Sequence, residues 1–408
     1  SDVPNLRFPE FQGEWEKCKV SDLLDFYSTN SLSWDKLEYG TTNIQNLHYG
    51  LIHVGLPTMV DIDKDNLPNI IDGNVPKNYE LCKEGDIVFA DASEDTNEVA
   101  KAVEYYNLNG KKVVCGLHTI HGRDNKNKTV VGYKGYAFSS MSFHHQIRRI
   151  AQGTKIYSIN SKNFSECYVG IPSKDEQQKI ADLLRLIDER IATQNKIIED
   201  LKKLKSAIIE NVFDDKHSER LQLDNVGSYI RGLTYSSNDV VEHGGTLVMR
   251  SNNIVNGSLL DYNNNVVFVN KQMSAEQQLQ NGDIVICMAN GSSSLVGKSS
   301  FYDGNWHSPI TVGAFCGIYR SKEPIVKWLF QTNKYRRYIW NSLQGGNGAI
   351  ANLNGEDILN MSFSIPNAPI KDTCVKMLTS VDSALENNMS LCALYTLQKQ
   401  HLLRQMFI

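Results

Sequence analysis

The chain repeats itself at a fixed offset, and this repeat limits its possible architectures more than any other feature. Ile171-Pro172 opens a long helical segment ending at Phe213, and Ile365-Pro366 opens a second ending at Phe407, each end displaced by 194 residues. Upstream, Gly85-Asp86-Ile87-Val88 answers Gly282-Asp283-Ile284-Val285, in each case a turn followed by a short apolar run that reads as a buried strand. Gln152-Gly153 answers Gln344-Gly345, and Asn43-Ile44 answers Asn253-Ile254. At roughly 150 residues per domain, 408 residues hold two to three domains. The repeat sets the predicted boundaries: a globular domain over 1–170, a helix over 171–214, a second globular domain over 215–364 and a second helix over 365–408. The expected fold class is α+β.

The two helical segments share a heptad pattern position by position. In the first, Leu184, Ile191 and Ile198 alternate with Ile180, Ile187, Gln194 and Leu201. The matching set in the second is Leu378, Leu385 and Cys392 with Cys374, Val381, Asn388 and Tyr395, and Leu402 further on. Polar interruptions coincide as well: Gln194 with Asn388, and Lys205 with Lys399. So narrow a stripe predicts that the helices pair with each other as an antiparallel coiled coil, with Gln194 and Asn388 fixing the register near the middle. A helix of about 40 residues is about 60 Å long, so the pair is expected to act as a spacer.

Hydrophobic residues at 41% and charged residues at 22% place the chain among folded globular proteins and exclude bulk disorder. No apolar run reaches the roughly 20 residues that cross a membrane, and Ser1 to Glu10 lacks the pattern of a signal peptide, so a cytoplasmic location without membrane contact is expected. The eight cysteines are scattered singly with no zinc-type spacing, so reduced structural thiols and no metal site are expected. A net charge of −4 offers no global attraction to nucleic acid, so any such role must rest on local patches or on basic partners.

Several segments imitate catalytic motifs. Gly291 to Ser299 resembles a phosphate-binding loop but has five residues between Gly291 and Gly297 where that loop has four, and strand and turn follow where a helix is needed. Gly345-Gly346-Asn347-Gly348 follows no apolar strand, and no proline is followed by another as in the base-holding loop of an adenine methyltransferase. Adjacent histidines such as His144-His145 point about 100° apart on a helix and so make a poor ligand pair.

The remaining chemistry suits reading nucleic acid. Each half has a basic segment interleaved with aromatics, Phe143 to Arg149 (with His144 and Arg148) and Lys334 to Trp340 (with Arg336 and Arg337). Arginine bridges guanine edges or phosphates, while asparagine and glutamine pair with adenine edges. Candidate readers in the first half are Asn43, Gln45, Asn46, His118, His121, Arg123 and Lys126. In the second they are Arg250, Asn252, Asn253, Asn290, Ser292, Lys298 and Asn347.

Over essentially its whole length the chain resembles the specificity subunits of type I restriction-modification systems. The motifs that carry the resemblance are Leu6-Arg7-Phe8-Pro9-Glu10-Phe11-Gln12-Gly13-Glu14-Trp15, and Ile171-Pro172 through Glu176-Gln177, Ile180, Leu184, Asp188 and Ile191. The second copy keeps Pro366, Leu378 and Asp382 but has Ile370 and Lys371 where Glu176 and Gln177 stand. The resemblance implies two target-recognition domains, each reading half of a split site in double-stranded DNA, held apart by the helix pair. It also implies two modification subunits that carry S-adenosylmethionine, two restriction subunits that use ATP and Mg, and neither cofactor nor catalytic residue in this chain. Bound partners would then supply much of the phosphate neutralisation. Two alternatives stay open: a coiled-coil scaffold that binds only proteins, and a nucleotide-binding enzyme resting on Gly291 to Ser299.

Overall fold

The computed structural model describes residues 2–213, 219–343 and 351–408. It divides into two compact units: residues up to Lys196 together with Met389–Ile408, and Ile197–Asn388. Both are mixed α/β, and each takes one part of both long helices, Lys174–Val212 and Ala368–Gln405.

In the first unit a five-stranded sheet is ordered Asp25–Tyr27, Thr119–Arg123, Ile87–Ala90, Ala102–Asn107, Met59–Asp61. A four-stranded sheet is ordered Val113–Cys115, Gln45–Leu47, Asn69–Ile70, Leu37–Glu38. The strand Ile87–Ala90 explains why its sequence is an unbroken apolar run: side chains alternate between faces, and both faces are buried. Ile87 and Phe89 join a core with Phe138, Phe143 and Phe164, while Val88 and Ala90 join another with Leu47, Tyr105 and Val113.

The second unit has a four-stranded sheet ordered Gly227–Arg231, Cys316–Ser321, Ile284–Cys287, Ser299–Phe301. Another is ordered Ile310–Val312, Thr246–Met249, Val267–Val269, Val240–Val241. Ile284 and Ile286 face one core, and Val285 and Cys287 the other.

The Gly-Asp-Ile-Val motif has a mechanical reason. Gly85 and Gly282 adopt φ +83° and +90°, the left-handed region that favours glycine. The next residue closes the turn, Asp86 accepting from the Lys83 N–H and Asp283 from that of Gln280, each at 2.7–2.8 Å. The same carboxylates hold an arginine through two parallel bonds, Arg123 at 2.8 Å on both oxygens of Asp86 and Arg320 at 2.8 and 2.6 Å on Asp283. Each arginine also donates to a backbone oxygen, that of Leu81 or Gln278. Such a fork fixes the turn against the strand beside it.

Not every sequence match survives. Asn43 precedes the strand Gln45–Leu47, whereas Asn253 follows the strand Thr246–Met249, and these two strands hold the same place beside their parallel partners. The shared Asn-Ile dipeptide is a coincidence of composition.

Within the first unit, Ile180, Leu184 and Ile187 are buried in one cluster with Leu402, Met406 and Phe407, and Ile191 packs against it. Lys399 Nζ lies 2.6 Å from Asp188, and Cys392 Sγ lies 3.3 Å from Asn195. Within the second, Ile209 and Val212 share a cluster with Cys374 and Leu378, and Lys205 Nζ lies 2.7 Å from Asp382. Val381 and Leu385 are buried, while Ile198, Leu201 and Tyr395 are half-buried. Asn388 donates to the Ala384 carbonyl of its own helix, and Gln194 Oε1 is buried without a hydrogen-bond partner.

Candidate nucleic-acid interface

Several candidate readers turn out to hold the first unit together. Asn43 donates its amide to Asp72 and to the Ile70 carbonyl. Gln45 is buried and bonds the Leu67 carbonyl, and fully buried Asn46 accepts from Asn30 at 2.6 Å. His121 is fully buried with Nε2 2.7 Å from Asp86, and Arg123 adds Glu80 to its fork on Asp86 and lies over the Tyr27 ring. Lys126 donates to the Asp22 carbonyl. The reading of Asn46, His121 and Arg123 as base readers is therefore corrected: burial keeps all three side chains away from a DNA surface. Composition of polar segments could not reveal this, since the acceptors of Arg123 lie 37 to 43 residues away.

The other first-half candidates converge on one loop, the segment from Asp91 to Glu98 that leaves the strand Ile87–Ala90. His118 Nδ1 lies 3.2 Å from Asp91, and Arg148 donates to Asn97 at 3.0 Å and meets His145 at 2.8 Å. Ala92–Ser93 pairs with Tyr157–Ser158, just beyond the Gln152-Gly153 turn. His118 is exposed and holds φ +54°, a conformation that non-glycine residues rarely adopt. Tyr49 lies edge-on to it at 5.2 Å, and Trp34, exposed to 46%, packs on His48 at 4.5 Å. Burial, aided by the charge of His118, pushes the His48 pKa down, and its Nδ1 accepts the Gly50 N–H. Burial and Arg148 lower that of His144.

The second unit builds the same kind of loop after Ile284–Cys287. Ala289–Asn290 pairs with Ala351–Asn352, Asn290 accepts the Ser292 N–H at 2.9 Å, and its amide reaches Ser251 Oγ at 3.5 Å. Asn252 and Ser292 are exposed there. Asn253 is instead fully buried, tying Arg250 N–H to the Asp261 and Asn264 carbonyls, so it too is corrected to a structural role. Arg250 donates to the Asn265 carbonyl, and Lys298 is half-buried at the end of the hairpin. Arg336 and Arg337 are exposed on the helix Asn333–Leu343, anchored by buried Tyr335 and Ile339. Asn347 and Gln344-Gly345 lie outside the described residues.

Sequence reasoning missed Trp34, Tyr49, Asn97 and Phe315. Phe315 is exposed to 65%, and its carbonyl accepts the Met288 N–H just as that of His118 accepts the Asp91 N–H. The two residues thus occupy equivalent turns, and a bulky apolar side chain flanked by glycine, alanine and cysteine was the available signal. The assembled chemistry is exposed aromatics, amides and hydroxyls with arginine nearby, suited to base edges and phosphates. The loop resembling a phosphate site is a single 3-10 turn, Ser293–Leu295, followed by the strand Ser299–Phe301, so no helix N-terminus faces it.

Residues 13–203 match the family described as the type I restriction modification DNA specificity domain. The chain is 35% identical over 155 residues to the EcoKI specificity subunit of Escherichia coli K12, covering 36% of this chain and 31% of that protein. It is 34% identical over 153 residues to the StySPI specificity subunit of Salmonella potsdam, covering 36% of this chain and 31% of that one. Both matches span about a third of those relatives' lengths. In fold it is similar to the S subunit of a type I restriction-modification system from M. genitalium, with TM-score 0.60, 15% identity, and coverage of 100% of this chain and 99% of that one. Among the described residues no helix is long and apolar enough to cross a membrane.

Proposed function

We propose, from the premise that this chain belongs to the type I restriction-modification specificity family, that it reads a bipartite double-stranded DNA target, one half-site per unit. The observation that carries this reading is the recurrence of one loop. In both units the strand after the Gly-Asp turn runs out into a polar segment, beside an exposed aromatic ring in the turn of His118 or Phe315. The matching sheet orders support reading the units as two copies of one target-recognition domain.

Opposed residue order in the helix contacts supports an antiparallel pairing. In the first unit Asp188 meets Lys399 and Asn195 meets Cys392; in the second Lys205 meets Asp382. Asp188 and Lys205 each stand 194 residues before Asp382 and Lys399, so the two ion pairs exchange under the repeat. In this reading the helices set the unread gap. Modification and restriction subunits dock on the chain and bring S-adenosylmethionine, ATP and Mg, and the chain itself performs no catalysis.

The test is methylation mapped over a randomised DNA library with variable gaps, using the chain assembled with its methyltransferase partner. Phe315→Ala with Arg336→Ala and Arg337→Ala is expected to change one half-site only, and His118→Ala with Arg148→Ala the other, each lost base contact being worth about 1–3 kcal/mol of discrimination. Simultaneous change of both half-sites would overturn the two-reader assignment. Four residues inserted after Glu199 lengthen the helix by about 6 Å and are expected to lengthen the preferred gap by about one or two base pairs. Retention of the original gap alone would show that the helix is no ruler, and methyl transfer by the isolated chain would refute its non-catalytic role.

A further inference from the structure

The first unit brings Cys82 together with two residues more than 30 positions further on, Cys115 and His121. The sulfurs of Cys82 and Cys115 and a ring nitrogen of His121 all lie within 4.8 Å of one another, and all three residues are buried. The two sulfurs are 3.4 Å apart, much longer than the roughly 2.05 Å of a disulfide. Two thiolates on one tetrahedral zinc, at about 2.3 Å each, stand about 3.8 Å apart, which differs from this geometry by a few tenths of an ångström.

The imidazole has one nitrogen held and one free. Its Nε2 faces Asp86 at 2.7 Å, and Asp86 is fixed in turn by Arg123, so a carboxylate holds that nitrogen as in many metal-bound histidines. The other nitrogen, Nδ1, is buried with no hydrogen-bond partner, an arrangement that normally demands explanation. The Tyr105 hydroxyl is buried beside both thiols and interacts with that of Cys82.

The second unit is an internal control. Backbone bonding places Leu279 where Cys82 stands, since Leu279 N–H reaches the Ile310 carbonyl as Cys82 N–H reaches that of Val113. Val312 matches Cys115, because the next residue, Gly313 or Gly116, bonds the Met249 or Leu47 carbonyl. Ile318 pairs with Val285 as His121 pairs with Val88. All three counterparts are buried and apolar. Tyr302, which matches Tyr105, finds the Trp306 carbonyl for its hydroxyl. The fold therefore has no need of ligating side chains at these places, yet the first unit supplies three at once.

We propose that Cys82, Cys115 and His121 bind one zinc ion that clips the strand Val113–Cys115 of one sheet to Thr119–Arg123 of the other. Two thiols give up their protons to solvent as two Zn–S bonds form, and neutral His121 donates its Nδ1 lone pair. Two thiolates then balance the 2+ charge, which is what an apolar surrounding requires. A neutral fourth donor, the Tyr105 hydroxyl, preserves that balance.

The experiment uses the full chain, reduced, stripped with chelator and titrated with Zn²⁺ and with Co²⁺. One metal per chain is expected, with release of about two protons per zinc near neutral pH, and cobalt should give thiolate charge-transfer bands. The variant Cys82→Leu, Cys115→Val, His121→Ile borrows the second unit's residues, so it is expected to fold and to bind none. Cys287→Ser in the second unit should leave the stoichiometry at one. Absence of stoichiometric metal, cobalt spectra without sulfur ligation, or undiminished binding by the triple variant would each overturn the site.

Discussion

The two units share the order of four strands in each of their two main sheets and the same Asp-Arg turn clamp, the first adding Met59–Asp61 at one edge, but they fill the space between their sheets differently. In the first, polar and ligating groups (Asn46, Cys82, Cys115 and His121) enter the core; in the second, the places of the last three hold Leu279, Val312 and Ile318. The clamp differs in depth as well. Arg123 keeps 8% of its side-chain exposure and Arg320 keeps 21%, while both aspartates are almost fully buried. A shared scaffold therefore tolerates different fillings so long as the turn is locked, but breaking a lock set deeper in the protein costs more because the charge left behind has no recourse to water.

The largest expected effect tests that depth. Asp86→Ala leaves Arg123 with Glu80 and the Leu81 carbonyl alone, removes the partner of His121 Nε2 and frees the turn N–H, so a loss of about 3 kcal/mol is expected, the low end of the range for breaking a buried charge pair. Asp283→Ala strands only a partly exposed Arg320 and should cost less, about 2 kcal/mol. Denaturant unfolding with hydrogen exchange at Ile87–Ala90 and Ile284–Cys287 resolves the two units. Equal losses would mean that depth is irrelevant.

The helix ion pairs reverse the order of depth. Asp382 is buried and gathers Lys205, Lys327 and the Trp328 indole N–H, whereas Asp188 is partly exposed and holds Lys399 and the Tyr136 hydroxyl. Burial pulls the Lys205 pKa below its usual value against the attraction of Asp382. Asp382→Asn should therefore cost the second unit about 2–3 kcal/mol and Asp188→Asn the first about 1 kcal/mol, read by the same exchange experiment. A larger loss from Asp188→Asn would break the comparison.

Much of the scaffold was legible before the structure. The apolar run after Gly-Asp, the long helices and the residues buried along them followed from periodicity, because burial on one stripe or on both faces of a strand leaves a local pattern. Interface candidates could not be told from structural residues in the sequence. Arg123 and Asn253 share residue type with DNA-contacting side chains, and only the fold shows the carboxylate or carbonyl that holds each one. The Cys82, Cys115 and His121 cluster left no signal, since its members come from different strands and turns with no zinc-type spacing. Trp34 and Phe315 were missed for the opposite reason: an aromatic residue reads as core until its exposure is seen.

The smallest expected effect is a pH response confined to the first unit. Burial lowers the pKa of His48, beside His118, and of His144, which faces Arg148, His145 and Glu98, so both favour the neutral ring when folded. The unfolded chain protonates these rings near pH 6.5 while the folded chain does not, so the unfolded state binds more protons as pH falls. The stabilisation is present above about pH 6.5 and is lost progressively below it, down through the lowered folded values. Exchange measured from pH 7.5 to 5.5, corrected for intrinsic rates, should show the first unit weakening relative to the second. His144→Gln keeps a hydrogen-bonding side chain that cannot titrate and should remove part of that response. An unchanged slope in this variant would place the acid sensitivity elsewhere in the unit.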